Sequence, residues 1–169
     1  MTANTPTCVC AIYIRGRPEA VWTALTDPEQ CARYWAHRNV SDWAVGSEWT
    51  HVRIDGSGVV DIAGTVIESA PPTRLVLTWA NPVDGTAVAG AHLKPADQGQ
   101  SGPSRASFDI EPHGEIVRLT VTHNLADEAE RDALTAGWTA VLSNLKTFLE
   151  TGHPLPQPPW EMLPGFVRD

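Results

Sequence analysis

The most regular alternation of apolar and polar residues lies near the start of the chain, over residues 7–15. One face of this segment is formed by Cys8, Cys10, Ile12 and Ile14. A period of two is that of a β-strand, in which successive side chains point to opposite faces. The pattern therefore predicts a strand with one buried face, and Gly16 ends it.

Two short helices are predicted directly after this strand. Pro18 is typical of the first turn of a helix, where the missing N–H of proline removes no hydrogen bond. Asp27 is typical of a second helix start, because Pro28 follows at the first helical position and Gln30 lies three residues after the cap. We expect this second helix to end near Trp35.

The middle of the chain predicts a series of antiparallel strands separated by turns rich in Gly and Pro. Gly64 lies inside one of these strands and indicates a bend or a bulge. Residues 81–103 are also rich in Gly and Pro, and we expect a long loop there, either a functional lid or a variable surface insertion. The predicted strands are residues 39–43, 48–54, 59–69, 73–79, 104–111 and 115–123.

A long helix is predicted to follow the last strand and to run to about Glu150, with Gly152 ending it. Asp127 is the expected cap, because Glu130 lies three residues later. Gly137 lies inside the helix, where glycine costs about 0.8–1.0 kcal/mol relative to alanine, and its missing side chain would let a backbone or a ligand approach. The apolar face is wide and consists of Leu134, Trp138, Val141, Leu142, Leu145, Phe148 and Leu149.

These elements together predict an α+β domain in which an antiparallel sheet packs against the long helix. An antiparallel sheet needs one face covered, and a helix with a wide apolar face can cover it. A cavity forms between sheet and helix if the two short helices close one end. We expect this domain to comprise residues 1–152. Residues 153–169 form a Pro-rich tail that is too apolar to remain in solvent, so we expect it to pack on its own domain or on a second subunit.

Composition and charge exclude several classes of partner. The chain has 169 residues and a formal net charge of −8, with 12 Lys and Arg against 20 Asp and Glu. Nucleic acids and anionic membranes attract basic surfaces, so neither is an expected partner. The sequence has no apolar run of about 18 residues and no pattern of a secretory signal. Three cysteines, a small and odd number, suit a reducing compartment, so we expect a cytoplasmic protein.

Residues that could carry chemistry are few, and common catalytic motifs are absent from the sequence. Cys8 and Cys10 share a strand face, but no second ligand pair accompanies them, so we expect small core residues, no metal and no cofactor. His123 shares its strand face with apolar residues and is expected to point toward the long helix, either as a satisfied core residue or as a base. Asp61 and Asp109 lie in mid-strand and face either solvent or the interior. The facing of His51 is ambiguous, and solvent exposure is expected for the other histidines, His37, His92, His113 and His153.

A family resemblance extends over residues 8–152. Its matching pieces are residues 18–22, 25–29, 46–49, 64–68, 71–75, 104–112, 117–123, 137–146 and 149–152. In this order they resemble the START-related, birch-pollen-allergen-like (SRPBCC) superfamily, and more narrowly its bacterial branch named after the activator of heat-shock-protein-90 ATPase. The resemblance implies a helix-grip fold with an internal apolar pocket. The chain departs from the family pattern in the 81–103 segment, in the tail and at Arg17, where a small capping residue is usual.

The leading hypothesis is that the chain binds an apolar or amphipathic small molecule in the sheet–helix cavity, without a catalytic apparatus. Tryptophan supports this hypothesis, since 7 of the 12 aromatic residues are Trp, whose flat apolar body suits a cavity wall. Trp35 and Trp49 are further candidates for the wall. The expected wall consists of Trp22, Leu77, Trp79, Phe108, Leu119, Val121, His123, Trp138 and Leu142.

Two other functions remain open at this stage. The resemblance admits cyclase, dehydratase and hydrolase relatives, and in such an enzyme His123 with Asp61 or Asp109 would be the general acid and base. The third possibility is a protein-interaction module associated with a chaperone, which would present a large exposed apolar patch. A homodimer that buries the tail would produce a similar patch, so a homodimer is also considered.

Overall fold

The computed structural model describes residues 5–80, 104–125 and 128–167. The loop expected over 81–103, with His92, and the expected cap Asp127 lie outside the described residues. Short 3₁₀ turns at Glu128–Glu130 and Pro159–Met162 flank the last helix. The main elements are β1 (Thr7–Arg15), α1 (Pro18–Thr26), α2 (Pro28–Trp35), β2 (His37–Val40), β3 (Glu48–Arg53), β4 (Val60–Ala70), β5 (Arg74–Trp79), β6 (Ser104–His113), β7 (Ile116–Asn124) and α3 (Arg131–Thr151).

Within the described residues, seven strands form one sheet in the order β1-β7-β6-β5-β4-β3-β2. Every neighbouring pair in this order is antiparallel. The sheet curls into a half-barrel around α3, and α1 and α2 follow β1. This is the α+β helix-grip arrangement that the sequence predicts.

The observed bounds differ from the predicted ones by at most two residues in most strands. The second strand is the exception, because it covers His37–Val40 instead of residues 39–43. The Ser41 hydroxyl accepts a hydrogen bond from the Trp43 N–H at 3.0 Å, and Trp43 has a φ of 60°. This local turn competes with strand pairing and ends β2 early. The long helix begins at Arg131, after a 3₁₀ turn.

The main core lies between the concave face of the sheet and α3. In β1 the face that contains Cys8 and Ile14 is the more buried one, while Val9 and Tyr13 on the other face are exposed, which confirms the predicted alternation. The buried residues of α3 include Trp138, Val141, Leu142, Leu145 and Phe148. They belong to one cluster with sheet residues that include Leu75, Leu77, Phe108, Ile110, Val117, Leu119 and Val121.

The two short helices are joined by the predicted cap. The Asp27 carboxylate accepts a hydrogen bond from the Gln30 N–H at 2.9 Å, which satisfies one of the unpaired donors at the start of α2. The Tyr34 hydroxyl donates to the Ala24 carbonyl at 2.8 Å and ties α2 to α1. At the start of α1, Arg17 makes no capping side-chain bond. The bonds of Asp27 and Tyr34 therefore hold α2 near its start and near its end, just before the chain enters β2.

Gly64 allows β4 to approach β5 unusually closely. A Cβ atom at this position would overlap the carbonyl oxygen of Thr78. The same Thr78 accepts a hydrogen bond from the Trp49 indole at 2.9 Å, and its hydroxyl accepts one from the Thr65 N–H at 2.7 Å. The register between β4 and β5 also shifts nearby, after Val66. Gly64 therefore lies in an irregular part of the sheet, where only a residue without a side chain fits.

The tail lies against α3 of its own chain. Asn144, which is buried on α3, accepts a hydrogen bond from the Leu155 N–H at 2.6 Å and donates one to the Gln157 carbonyl at 3.3 Å. Pro159 in the following turn is also buried. The Asn144 side chain therefore holds the first part of the tail through both its amide oxygen and its amide nitrogen.

Candidate functional site

An apolar cavity of about 240 Å³ lies between α3 and the sheet, beneath the tail. We call it the indole pocket, because its lining includes four tryptophans, Trp35, Trp79, Trp138 and Trp160. Aliphatic residues complete most of the lining, among them Ile62, Leu134, Val141, Pro159 and Leu163. Such a lining favours apolar ligands, because their burial removes apolar surface from water.

Each tryptophan of the pocket comes from a different element. Trp35 is the last residue of α2, Trp79 is the last residue of β5, Trp138 lies on α3 and Trp160 lies in the tail. The ring centroids of Trp35 and Trp79 are 6.4 Å apart, and both rings lie within 6 Å of the Trp138 ring, at 5.8 Å and 5.5 Å. These separations are typical of packed aromatic rings, so three of the indoles form a continuous surface.

Gly137 also lines the indole pocket. A Cβ atom added to Gly137 would meet no atom within 4 Å. The missing side chain therefore leaves space on the pocket side of α3. Among the described residues, no neighbouring backbone occupies this space, so the close backbone approach that the sequence suggested for Gly137 is not present.

His123 is part of a hydrogen-bonded chain next to the pocket. The Trp138 indole N–H donates to His123 Nδ1 at 3.2 Å, and His123 Nε2 lies 2.8 Å from the Ser104 hydroxyl. Because the Ser104 hydroxyl donates to the Asn124 carbonyl at 2.9 Å, the imidazole proton belongs on Nε2. Burial lowers the pKa of His123 to about 4, so the ring is neutral at pH 7. Both ring nitrogens are occupied, and His123 acts as a satisfied core residue.

A second, larger cavity lies outside the core, between α2, the β3–β4 hairpin and the tail. We call it the polar groove; its volume is about 920 Å³, and its lining includes Arg33, His37, Arg53, Asp61 and residues 154–158. His37 and Trp160 line both this groove and the indole pocket. These two side chains therefore form a partition between the indole pocket and a space whose lining contains charged side chains.

The charged part of the groove is a chain of three side chains. Arg53 donates to Asp61 through Nε and Nη2, both at 2.8 Å, and His37 Nε2 lies 2.8 Å from Asp61 Oδ2. These hydrogen bonds, that of Arg53 above all, hold the pKa of the Asp61 carboxyl below its usual value. Asp61 is thus an ionised carboxylate that fixes the positions of both neighbours.

His37 is enclosed, although the sequence predicted a solvated residue. Its ring lies parallel to the His51 ring at a centroid distance of 4.1 Å, and the Trp160 ring packs against it edge-on at 5.6 Å. His51 is itself buried, with Nδ1 2.6 Å from Oδ1 of the Asn39 side chain. Burial holds the pKa of His51 well below its usual value, and the neighbouring His37 ring lowers it further. His51 is therefore a neutral support for His37.

Of the nine residues that the sequence placed on a cavity wall, Trp79 and Trp138 line the indole pocket. Phe108 and His123 contact Trp138 from the core side, with ring centroids 5.6 Å and 6.0 Å away. Trp22 is partly buried at the edge of the core. The remaining four pack within the core and do not line this pocket: Leu77, Leu119, Val121 and Leu142.

The carboxylates considered as partners of His123 lie elsewhere. Asp61 belongs to the polar groove, and Asp109 pairs with Arg74 at 2.5 Å. Cys8 and Cys10 do lie together, with sulfurs 3.8 Å apart, but burial raises the pKa of Cys10 to about 11 and disfavours its thiolate. Across residues 5–80, 104–125 and 128–167, no group of three potential metal ligands occurs.

Sequence reasoning missed the part played by His37, Arg53 and Trp160. The apolar character of the tail was the one signal that pointed to Trp160, since an apolar tail must pack somewhere. Nothing in the spacing of the sequence links His37 to Asp61, which lies 24 residues away.

In the part of the chain described here, no helix is long and apolar enough to cross a membrane.

Comparisons with known proteins support the fold described above. The family model described as Activator of Hsp90 ATPase homolog 1-like protein matches residues 15–150. CalU16 from Micromonospora echinospora is 20% identical over 92% of this chain and 83% of its own, with a TM-score of 0.65. DynU16, a putative protein in the dynemicin biosynthetic locus, is also 20% identical, with a TM-score of 0.68. That match covers 92% of this chain but only 51% of DynU16.

A further solved structure with the same fold is the Aha1 dimer from Colwellia psychrerythraea. It is 21% identical over 86% of this chain and 97% of its own, with a TM-score of 0.63. A comparison with curated proteins found no match. At these identities, the solved structures establish the fold alone.

Proposed function

The chain belongs to the Activator of Hsp90 ATPase homolog 1-like family, and from this premise we propose that it binds an apolar or amphipathic small molecule in the indole pocket. The observation that carries the proposal is the open space beside Gly137, on a wall that also contains Trp79 and Trp138. A helix interior normally favours a residue with a side chain, since glycine costs about 1 kcal/mol relative to alanine. The space that this glycine leaves is available to a ligand.

The size of the pocket limits what it holds. Sites for drug-sized ligands measure roughly 300–1,000 Å³. The indole pocket, at about 240 Å³, is smaller and suits the apolar part of a ligand. Burial of apolar surface contributes about 25 cal/mol per Å² before the costs of ordering, so a compact ring system is sufficient for measurable affinity. A polar part of the ligand would extend past the partition into the polar groove.

The pocket can be tested by filling it. Gly137→Leu adds an apolar side chain at the pocket wall without placing its Cβ against any atom. Thr139→Leu is the matched control, because Thr139 is an exposed residue of the same helix. We expect titration of tryptophan fluorescence with panels of lipids, flavonoids and polyketides to find a ligand of the unmodified protein. Its affinity should fall at least about tenfold in Gly137→Leu, the equivalent of about 1.4 kcal/mol, and stay unchanged in Thr139→Leu.

Two results would contradict the proposal. One is that no member of the panels binds and native mass spectrometry of the freshly purified protein finds no retained ligand. The other is that Gly137→Leu binds the ligand as tightly as the unmodified protein. The same mass spectra give the number of subunits, and the homodimer stays a prediction until then. An acid–base enzyme centred on His123 is not favoured, because Trp138 and Ser104 already occupy its two ring nitrogens.

A further inference from the structure

We propose that the ligand of the indole pocket carries an acidic group and that Arg53 binds this group in the polar groove. The inference rests on the proposed function and specifies the chemical class of the ligand: an apolar body that ends in a carboxylate or a similar anion. Its basis is the position of Arg53, which is held next to the partition between the two cavities.

The indole pocket and the polar groove share two lining side chains. His37 and Trp160 line both the indole pocket and the polar groove, so a molecule that extends out of the pocket past these side chains enters the groove. Asp61 Oδ2 lies 2.8 Å from His37 Nε2, and the Asp61 carboxylate also accepts two hydrogen bonds from Arg53. The hydrogen-bonded series His37–Asp61–Arg53 therefore begins at the partition, because His37 lines the indole pocket itself.

Arg53 does not use all of its hydrogen-bond donors on Asp61. Its bonds to Asp61 use Nε and one hydrogen of Nη2, and no bond from Nη1 to another described residue is present. The two Nη1 hydrogens and the second Nη2 hydrogen therefore remain free to donate, and the side chain is 47% exposed. The fork to Asp61 fixes the plane of the guanidinium, so the free donors are held in place for an oxyanion.

The two carboxylates of the groove already have hydrogen-bond donors. Asp61 accepts two hydrogen bonds from Arg53, and its Oδ2 lies 2.8 Å from His37 Nε2. Asp55, the other carboxylate of the groove, accepts hydrogen bonds from the N–H and the hydroxyl of Ser57. Arg53 keeps unused donors next to the partition, whereas each of these two carboxylates already accepts at least two hydrogen bonds. The net charge of −8 on the whole chain opposes anion binding only weakly, because charges more than about 8–10 Å away are screened at physiological salt.

The experiment compares two probes that share an apolar body, 2-naphthoate and the neutral 2-naphthamide, by isothermal titration calorimetry. We expect the unmodified protein to bind 2-naphthoate more tightly than 2-naphthamide. Arg53→Gln should lower the affinity for 2-naphthoate about 10- to 100-fold, the usual range for a lost charge-assisted hydrogen bond. The affinity for 2-naphthamide should change by no more than about twofold. Arg53→Lys keeps the charge without the fork, so it should restore part of the affinity for 2-naphthoate.

Arg38→Gln is the matched control. It removes the same charge from a partly exposed residue that pairs with Glu29 and lines neither cavity, so both affinities should stay unchanged. Equal affinities of the two probes for the unmodified protein, or equal losses of both in Arg53→Gln, would overturn the inference. If Gly137→Leu still removes binding of 2-naphthamide in that case, the proposed function stands without it. If neither probe binds up to its solubility, the result counts against both proposals.

Discussion

Replacing Gly137 by alanine is expected to stabilise the protein, although the residue faces the indole pocket. Gly137 lies within α3 and has helical surroundings on both sides. The new methyl group would meet no atom within 4 Å, so the change carries no steric cost. The gain is the difference in helix propensity, about 0.8–1.0 kcal/mol, which arises because glycine loses more backbone entropy than alanine on folding.

Calorimetry and urea denaturation measure this gain. For a domain of this length, about 1 kcal/mol corresponds to a rise in Tm of about 2–4 °C. Gly64→Ala is the matched contrast, since the same chemical change there would overlap the Thr78 carbonyl. That variant should lose about 3 kcal/mol or more, or fail to fold, because backbone on both sides prevents relaxation.

The result that would refute the reasoning is a Tm for Gly137→Ala at or below that of the unmodified protein. In the ligand-free protein, such a value would mean that the protein's own atoms fill the space beside Gly137, and the observation behind the proposed function would be lost. A stabilised Gly137→Ala variant with weakened ligand binding would support both the open space and its use.

Two further predictions concern pH and the tail. The pKa of His123 is about 4 in the folded protein against 6.5 unfolded, so its contribution to stability is complete above pH 6.5 and decreases as pH falls toward 4, by about 3 kcal/mol in total. Urea denaturation between pH 7 and 4.5 should show this decrease, and a smaller one in His123→Gln; equal slopes would contradict it. Asn144→Ala removes the bonds to Leu155 and Gln157 and should cost about 1–3 kcal/mol in urea denaturation and speed proteolysis of the tail; unchanged cleavage would contradict it.

Most elements of the fold were predictable because their signals are local. The alternation in β1 and the cap at Asp27 depend on residues close together in the chain, and both agree with the structure. His123 was likewise placed on the buried face of its strand by parity alone. In each case the period of side chains along one element determines which face is buried, so no knowledge of other elements is needed.

The polar groove was not predictable, because its contacts join residues that are distant in sequence. His37 looks like a solvated residue until β3 and the tail bring His51 and Trp160 against it. Asn144 interrupts an apolar helix face, and its role becomes clear only when the tail supplies Leu155 as a partner. Sequence patterns carry information about burial, whereas hydrogen-bond partners depend on the tertiary arrangement.

The partition formed by His37 and Trp160 gives the two cavities two lining side chains in common. Since the same side chains border both spaces, a displacement that enlarges one takes volume from the other. Two separate occupants would therefore alter each other's affinity, and by the same factor in either order of addition. An occupant of the groove would act as an effector of the pocket without touching the tryptophans behind the partition.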